Sequence, residues 1–308
     1  MLRQIASRTL HSVLVIVGLT VITFLLVYLA GDPAAFIAGE GANPAEIQAI
    51  RQAGGYDRPI IVQYIDWLLH AAQGDLGTSY RSGRPALESV LTALPRTLIL
   101  IGAALALATT LGIIVGVAAA VRRGSVLDRV VISGSVFLQS LPTFWVGIVA
   151  ILIFSATLRL LPTSGFRGPE YLILPAVTLA LFQAAIFARI VRSSMIEVLD
   201  ADYVRTAQAK GAAPRSVLFG HALRNAAMPI ITILGLELGS LFGGAIITET
   251  VFGWPGISTV ALSAIQVRDM AVVQAFVLVV GILVVLTNLL IDILYVQLDP
   301  RTRATARR

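Results

Sequence analysis

Six long apolar runs, separated by polar stretches of very unequal length, dominate the chain: residues 9–30, 97–121, 130–158, 172–191, 229–247 and 272–294. A helix needs about 20 apolar residues to cross a hydrocarbon core about 30 Å thick, because each residue advances about 1.5 Å. Each run therefore predicts a membrane-spanning helix. The third is too long for one straight crossing and predicts a tilt or a break near Pro142. Pro175 falls near the start of the fourth, where the first turn of a helix tolerates it. The pattern divides the chain into an N-terminal span within 1–30, a polar loop over 31–95, and five spans within 96–298. A basic break over 200–229 interrupts those five, and a basic tail over 299–308 follows them.

Inside the long polar loop, "RPIIVQYIDWLLHAAQ" (58–73) places Ile61, Tyr64, Ile65, Leu68 and Leu69 at helical spacing. This predicts an amphipathic helix that lies on the membrane surface or against the outer ends of the spans. Docking of an external partner is the other reading. No internal repeat or inverted duplication of the spans is evident, which weighs mildly against a self-contained secondary transporter.

Composition supports lipid as the solvent. Hydrophobic residues make up 57% of the 308 positions and charged residues 13%, about half the share a soluble surface requires. The first run is longer than the apolar region of a cleavable signal, and no small-x-small site clearly ends it, so it is expected to be a retained span. With no cysteine, disulfides and thiolate metal sites are excluded. His11, His70 and His221 show no ligand spacing, so no metal site is expected.

The net charge of +6 comes with no basic patch large enough to act outside a membrane, and nucleic acid is not an expected partner. Arginine and lysine instead report orientation. Arg3, Arg8, Arg122, Arg123, Arg129, Arg189, Arg192 and the basic break fall on one side, together with Arg301, Arg303, Arg307 and Arg308. By the positive-inside bias that side is the cytoplasm, with both termini in it.

The break itself, "DADYVRTAQAKGAAPRSVLFGHALRNAAMPI" (200–230), reads as a short helix, a turn and a second helix. Asp200 or Asp202 is placed to cap a helix starting near Tyr203. Gly211 supplies a left-handed stop, and Pro214 is placed to open the next helix. Val204 and Ala207 share one face with Gln208 and Gly211, leaving little apolar area to bury. A helix of about eight residues with such small side chains needs an external partner to hold it. A basic loop lying near anionic lipid is the alternative.

"YVRTAQAKG" (203–211) followed by "HALRNAAMPI" (221–230) resembles the EAA loop of permease subunits of bacterial ABC importers, in the dipeptide/oligopeptide/nickel branch. The signature Gly falls on Gly211, the second Ala on Ala207 and the closing Pro on Pro229. Arg205 and Thr206 stand where Glu and Ala stand elsewhere, and the Gly-to-Pro distance exceeds that of sugar permeases. Both departures are typical of the peptide branch. "GDLGTSYRSGRP" (74–85), "SLPTFWVGI" (140–148), "ETVFGWPGI" (249–257) and "LDPR" (298–301) resemble the same branch, in order, across nearly the whole chain.

The resemblance implies an all-α membrane protein with six transmembrane helices, both termini inside, and the type I ABC importer permease fold. It implies that the short helix, with Tyr203, Arg205, Thr206, Ala207, Lys210 and Gly211, sits in a groove of a cytoplasmic ATPase and turns its closure into rocking of the spans. This chain has no G-x-x-x-x-G-K-[ST] loop, so ATP and Mg are expected on a separate subunit, and the chain is expected to be non-catalytic with no cofactor of its own. The implied partners are a second homologous permease, two cytoplasmic ATPase subunits and an extracytoplasmic solute-binding protein, in a bacterial cytoplasmic membrane. The implied substrates are di- or oligopeptides or related small solutes.

Polar groups inside the spans are costly and so informative. Glu237, near the middle of the fifth run, is expected either to line the translocation path or to make a helix-packing hydrogen bond. Gln139 and Gln183 are further path candidates, while Asn288 and Asp292, four apart, read as a structural pair. Gly235, Gly239, Gly243 and Gly244 form a small-residue run that allows close helix packing, against a second permease or within the chain. A stand-alone transporter or channel not driven by ATP is the alternative function. A membrane enzyme finds no paired carboxylates, no serine beside a histidine and no metal cluster to support it.

Overall fold

In the computed structural model, residues 2–39, 41–211 and 223–298 are described, with positions 213, 216, 218 and 220. These residues are overwhelmingly helical. The helices are α1 (Leu2–Ala30), α2 (Pro33–Ala38), α3 (Pro44–Ala53), α4 (Ile60–Ala72), α5 (Ala86–Val121), α6 (Val126–Ser140) and α7 (Thr143–Ala150). After α7 a π-helical stretch covers Ile151–Thr157, followed by α8 (Glu170–Leu199), α9 (Asp202–Ala209), α10 (Leu223–Val251), α11 (Ile257–Gln266) and α12 (Met270–Leu298). Among the described residues no strand forms, and the single β-bridge joins Thr78 to Pro85.

Four helical stretches are long and apolar enough to cross a membrane: Ser7–Leu29, Ala86–Val121, Glu170–Leu199 and Met270–Ile291. The fifth expected span lies in α10, whose 29 residues extend about 44 Å at 1.5 Å each. The third run does break where Pro142 stands. Val126–Ser140 and Thr143–Thr157 meet at 99°. Pro142 lacks an N–H and pushes Leu141 out of the helical region, and Leu141 is extended at φ −87° and ψ 138°. Two readings need correcting. Helix α8 begins at Glu170, so Pro175 lies inside it rather than in its first turn. Asp200 closes α8 instead of capping the next helix, and Asp202 is the first residue of α9.

The described residues form two compact units, one from 98–254 with 290–298, the other from 2–97 with 255–289. In the first, α8 is the central element, touching α6, α7, α9 and α10. Leu179, Ala180, Gln183, Phe187, Ala188, Val191 and Met195 are buried along it. Helix α5 approaches α8 closely at Gly112 and Gly116. A β-carbon on Gly112 would stand 2.4 Å from the β-carbon of Phe187, and one on Gly116 would stand 2.6 Å from the Ala188 carbonyl oxygen. Only glycine fits at such a crossing, the familiar small-xxx-small contact of membrane helices.

The second unit packs Leu76, Ala86, Val90 and Ala93 against Ile257, Ala264, Val272 and Ala275. On α1, Phe24 meets Tyr64 and Trp67 of α4, with ring centroids at 5.4 and 5.9 Å. The predicted amphipathic segment is thus α4, and it packs against α1. The stretch 74–85 is a fixed loop: Ser79 N–H donates to Arg84 O at 2.9 Å, and Ala86 N–H donates to Gly77 O at 2.9 Å.

Candidate functional site

The basic break begins as read. Helix α9 spans Asp202–Ala209, and Gly211 adopts φ +79°, a conformation that glycine reaches without steric cost. Val204 is fully buried and anchors the helix. Arg205, Thr206 and Lys210 are exposed, and so is Tyr203. The Thr206 hydroxyl donates to the Asp202 carbonyl at 2.9 Å, within the helix itself. The side chain of Ala207 and the turn expected at Pro214 lie outside the described residues, as do the side chains of His221 and Pro229.

The segment carrying α9 is firmly mounted. Arg192, near the end of α8, donates from Nε and Nη2 to the two carboxylate oxygens of Asp128, the second bond at 2.9 Å. Asp128 stands in the first turn of α6 with its side chain 4% exposed. It also accepts from the Gly124 N–H at 2.9 Å, while the Ser125 hydroxyl accepts from the Asp128 N–H at 3.3 Å to cap α6. A bidentate guanidinium–carboxylate pair of this kind fixes orientation as well as charge. Arg123 donates to Asp200 at 2.9 Å, but both side chains are 62% exposed and this pair contributes little. An apolar cluster of Ala120, Val191, Met195 and Ala226 joins α5, α8 and α10 near the same end. The Asp128–Arg192 pair was not foreseen, because its partners lie 64 positions apart and Arg192 read only as one of the basic residues that report orientation.

Two of the three polar candidates within the spans come together. Gln183 of α8, buried, donates from Nε2 to the Ser240 hydroxyl of α10 at 3.1 Å. Ser240 in turn donates toward Glu237 Oε2 at 2.8 Å, with the Glu237 carbonyl at 2.9 Å as its competing acceptor. Gln183 Oε1 is buried with no hydrogen-bond partner. Ser240 is the residue the sequence reading missed; its spacing of three from Glu237 on one helix was the available signal. Gln139 is exposed on α6 and bonds to the carbonyl of Ser135 at 3.1 Å, within its own helix.

The glycine run of α10 divides. A β-carbon on Gly244 would stand 2.9 Å from Leu179 Cδ1, so this residue makes the α8–α10 approach. Gly243 is exposed and has nothing within 4 Å of such a carbon. Gly239 is half-buried, and the surroundings of Gly235 lie outside the described residues.

Long apolar helices, one of them broken, packed around polar contacts in mid-span, define a multi-pass membrane protein with a helical transport fold. Residues 89–304 match the family described as binding-protein-dependent transport system inner membrane component, and residues 1–101 match the N-terminal membrane component of such systems. The chain belongs to this family and is the membrane permease of an ABC importer, placed in the cytoplasmic membrane. Permeases of this family are non-catalytic subunits that work with an ATPase and a substrate-binding protein.

Among its relatives, the di/tripeptide transport system permease protein of Pseudomonas aeruginosa is 39% identical over 333 residues, covering 98% of this chain and 99% of the relative. The glutathione transport system permease protein of Salmonella typhi is 40% identical over 304 residues, with 98% and 99% covered. The fold is similar to that of the MetNI methionine ABC transporter in inward-facing conformations, with a TM-score of 0.56 at 18% identity, covering 68% of this chain and 96% of that one.

Proposed function

We propose that this chain forms half of a translocation path for di- or oligopeptides or related small solutes, and that α9 is the helix gripped by a cytoplasmic ATPase. In the assembly it pairs with a second homologous permease, two ATPase subunits that hydrolyse ATP on their own chains, and an extracytoplasmic binding protein. One observation carries the coupling role. A two-turn helix is pinned by buried Val204 yet offers Tyr203, Arg205, Thr206 and Lys210 outward. It follows directly from α8, whose end is tied to α6 by the Arg192–Asp128 pair. A force on α9 therefore enters the helix that also touches α7 and α10. Ala207 and Gly211 complete the gripped surface, on the side assigned to the cytoplasm by its arginines.

Within the path, Ser240 and Glu237 form the polar surface that solutes meet, held from behind by buried Gln183, with Gln139 as a further contact. Glu237 offers a carboxylate to a cationic group such as a peptide amino terminus. Relatives named for di/tripeptides and for glutathione support substrates of that size. Gly243, open on the α10 surface, marks where a second permease packs, together with Gly235 and Gly239.

The lack of cysteine makes the test direct. Thr206→Cys places one thiol on the exposed face of α9, and the tagged chain is purified from its native membrane with a cross-linker. The expected result is a specific cross-link to an ATPase subunit whose yield changes with ATP. Intact protein that co-purifies with no ATPase and forms no such cross-link would favour a self-contained transporter or channel.

A further inference from the structure

Helix α4 is apolar around most of its circumference, and only part of that surface is used inside the chain. Tyr64 and Trp67 meet Phe24 of α1, with ring centroids at 5.4 and 5.9 Å, and Ala71 packs on the core of the same unit. At about 100° per residue, Ile61, Ile65, Leu69 and Val62 fall on a separate arc about 100° wide. Ile61, Ile65 and Leu69 are 68%, 49% and 57% exposed, so nothing in the chain covers them. Gln63, Asp66 and His70 occupy the remaining side. They line a cavity of about 680 Å³ together with Arg58, Asp75 and Arg268, and none of the four aliphatic residues lines it.

The contacts with α1 set the depth of this helix. Thr20 donates its hydroxyl hydrogen to the Val17 carbonyl at 2.7 Å, so the Tyr64 hydroxyl, 2.8 Å away, donates to Thr20. On the other side of Phe24, the Tyr28 hydroxyl donates to Gln63 Oε1. Neighbouring positions of α4 thus reach points eight residues apart on α1, a separation of about 12 Å. That pattern belongs to a helix lying across α1 rather than along it. Phe24, where the two helices cross, stands five residues before Leu29, the end of the apolar span, and so about 7.5 Å below it. Interfacial helices sink their apolar faces about 5–10 Å into the headgroup and acyl boundary. The facing agrees with the depth. Tyr64 points to the deeper residue, Thr20, and the aliphatic arc lies on the Tyr64 side. Gln63 points to the shallower residue, Tyr28, and Asp66 and His70 lie on the Gln63 side.

We propose that α4 lies half-sunk in the outer leaflet, with phospholipid acyl chains covering Ile61, Val62, Ile65 and Leu69 and its polar side turned to water and the cavity. The leaflet is the outer one because the arginines place the N-terminus of α1 inside. At the same depth α1 exposes Val21, Ile22 and Leu25, which meet the same lipid layer. Tyr28, Tyr64 and Trp67 are the amphipathic rings that gather where hydrocarbon gives way to water. The long outer loop is therefore anchored in the bilayer through α4, and this face is not offered to an external protein.

Single cysteines report the facing, since the chain has none of its own. Ile65→Cys and Leu69→Cys are compared with His70→Cys, each carrying a fluorescent label. The transporter is purified whole through a tag on this chain and reconstituted in phosphatidylcholine vesicles, and the unsubstituted assembly is labelled in parallel as background. Phospholipid bearing a nitroxide on its acyl chain is expected to quench the labels at 65 and 69. Aqueous iodide should quench them at least about fivefold less than the label at 70, because an anion scarcely enters hydrocarbon. Iodide quenching as strong at 65 and 69 as at 70 would put the arc in water, open to an external protein. Shielding of 65 and 69 from both quenchers would put it against another protein chain. Equal quenching by the lipid nitroxide at all three positions would mean that α4 has no side turned to water. Each of these three results overturns the proposal. Two positions one turn apart keep the test intact if one variant fails to assemble.

Discussion

Replacing Ser240 by alanine removes one oxygen from the exposed side of α10, and its consequences follow from two contacts. The hydroxyl accepts from Gln183 Nε2 at 3.1 Å and donates toward Glu237 Oε2 at 2.8 Å. If both bonds were fully sheltered, stranding the Gln183 amide would cost about 1–3 kcal/mol. Two facts pull the value down. Ser240 is exposed, so the stranded groups regain some solvent or lipid-interface partners. Interhelical hydrogen bonds measured inside membranes also average only about 0.6 kcal/mol and reach about 1.7.

The expected coupling between Gln183 and Ser240 is therefore about 0.6–1.7 kcal/mol. It is read from a double-mutant cycle of Ser240→Ala and Gln183→Met, the second change replacing the amide by a side chain of similar length. Reversible unfolding of the chain in bicelles gives the four stabilities. Ser240→Ala alone should destabilise, and should do so much less in the Gln183→Met background. A coupling indistinguishable from zero would mean that α8 and α10 do not share this bond in the membrane. The polar cluster placed in the path would then be lost, since nothing else joins Gln183 to Glu237 among the described contacts.

Two further outcomes test the packing. Gly112→Val must push α5 away from Phe187, and overpacking of this kind costs about 1–3 kcal/mol. Gly243→Val meets open space and should stay within about 0.5 kcal/mol of the parent chain; comparing the two by unfolding, and the second by the yield of assembled transporter, separates packing inside the chain from packing against a second permease. Arg192→Met strands the Asp128 carboxylate and should lower the unfolding temperature, while adding Asp128→Asn should restore part of the loss. If the double variant were no more stable than the single one, the pair would not be holding α6 to α8.

Much of the architecture was legible along the chain because the bilayer is a strict judge of length and polarity. Four of the apolar runs became helices long enough to cross, the proline of "SLPTF" became a sharp bend, and Gly211 took the left-handed conformation that ends α9. The misplacements are local. Helix α8 starts at Glu170, two residues before its apolar run, which leaves Pro175 inside it. Asp200 became the C-cap of α8, because only Asp200 and Ala201 separate α8 from α9.

What stayed hidden is which faces meet. A helix in lipid is apolar both where it touches a neighbour and where it touches acyl chains, so hydropathy carries almost no signal about facing. Gly112 and Gly116 are indistinguishable in sequence from Gly243, yet the first two are compressed against α8 and the last is open. Ser240 joins Gln183 to Glu237 across 57 positions, Arg192 reaches Asp128 across 64, and Ser79 orients Asp269 across 190. Local polarity and chain stiffness sufficed for the spans, the bend and the basic helix. The polar contacts and the cavity arise only where distant segments are brought face to face, because a hydrogen bond acts over about 3 Å and no local pattern encodes its distant partner.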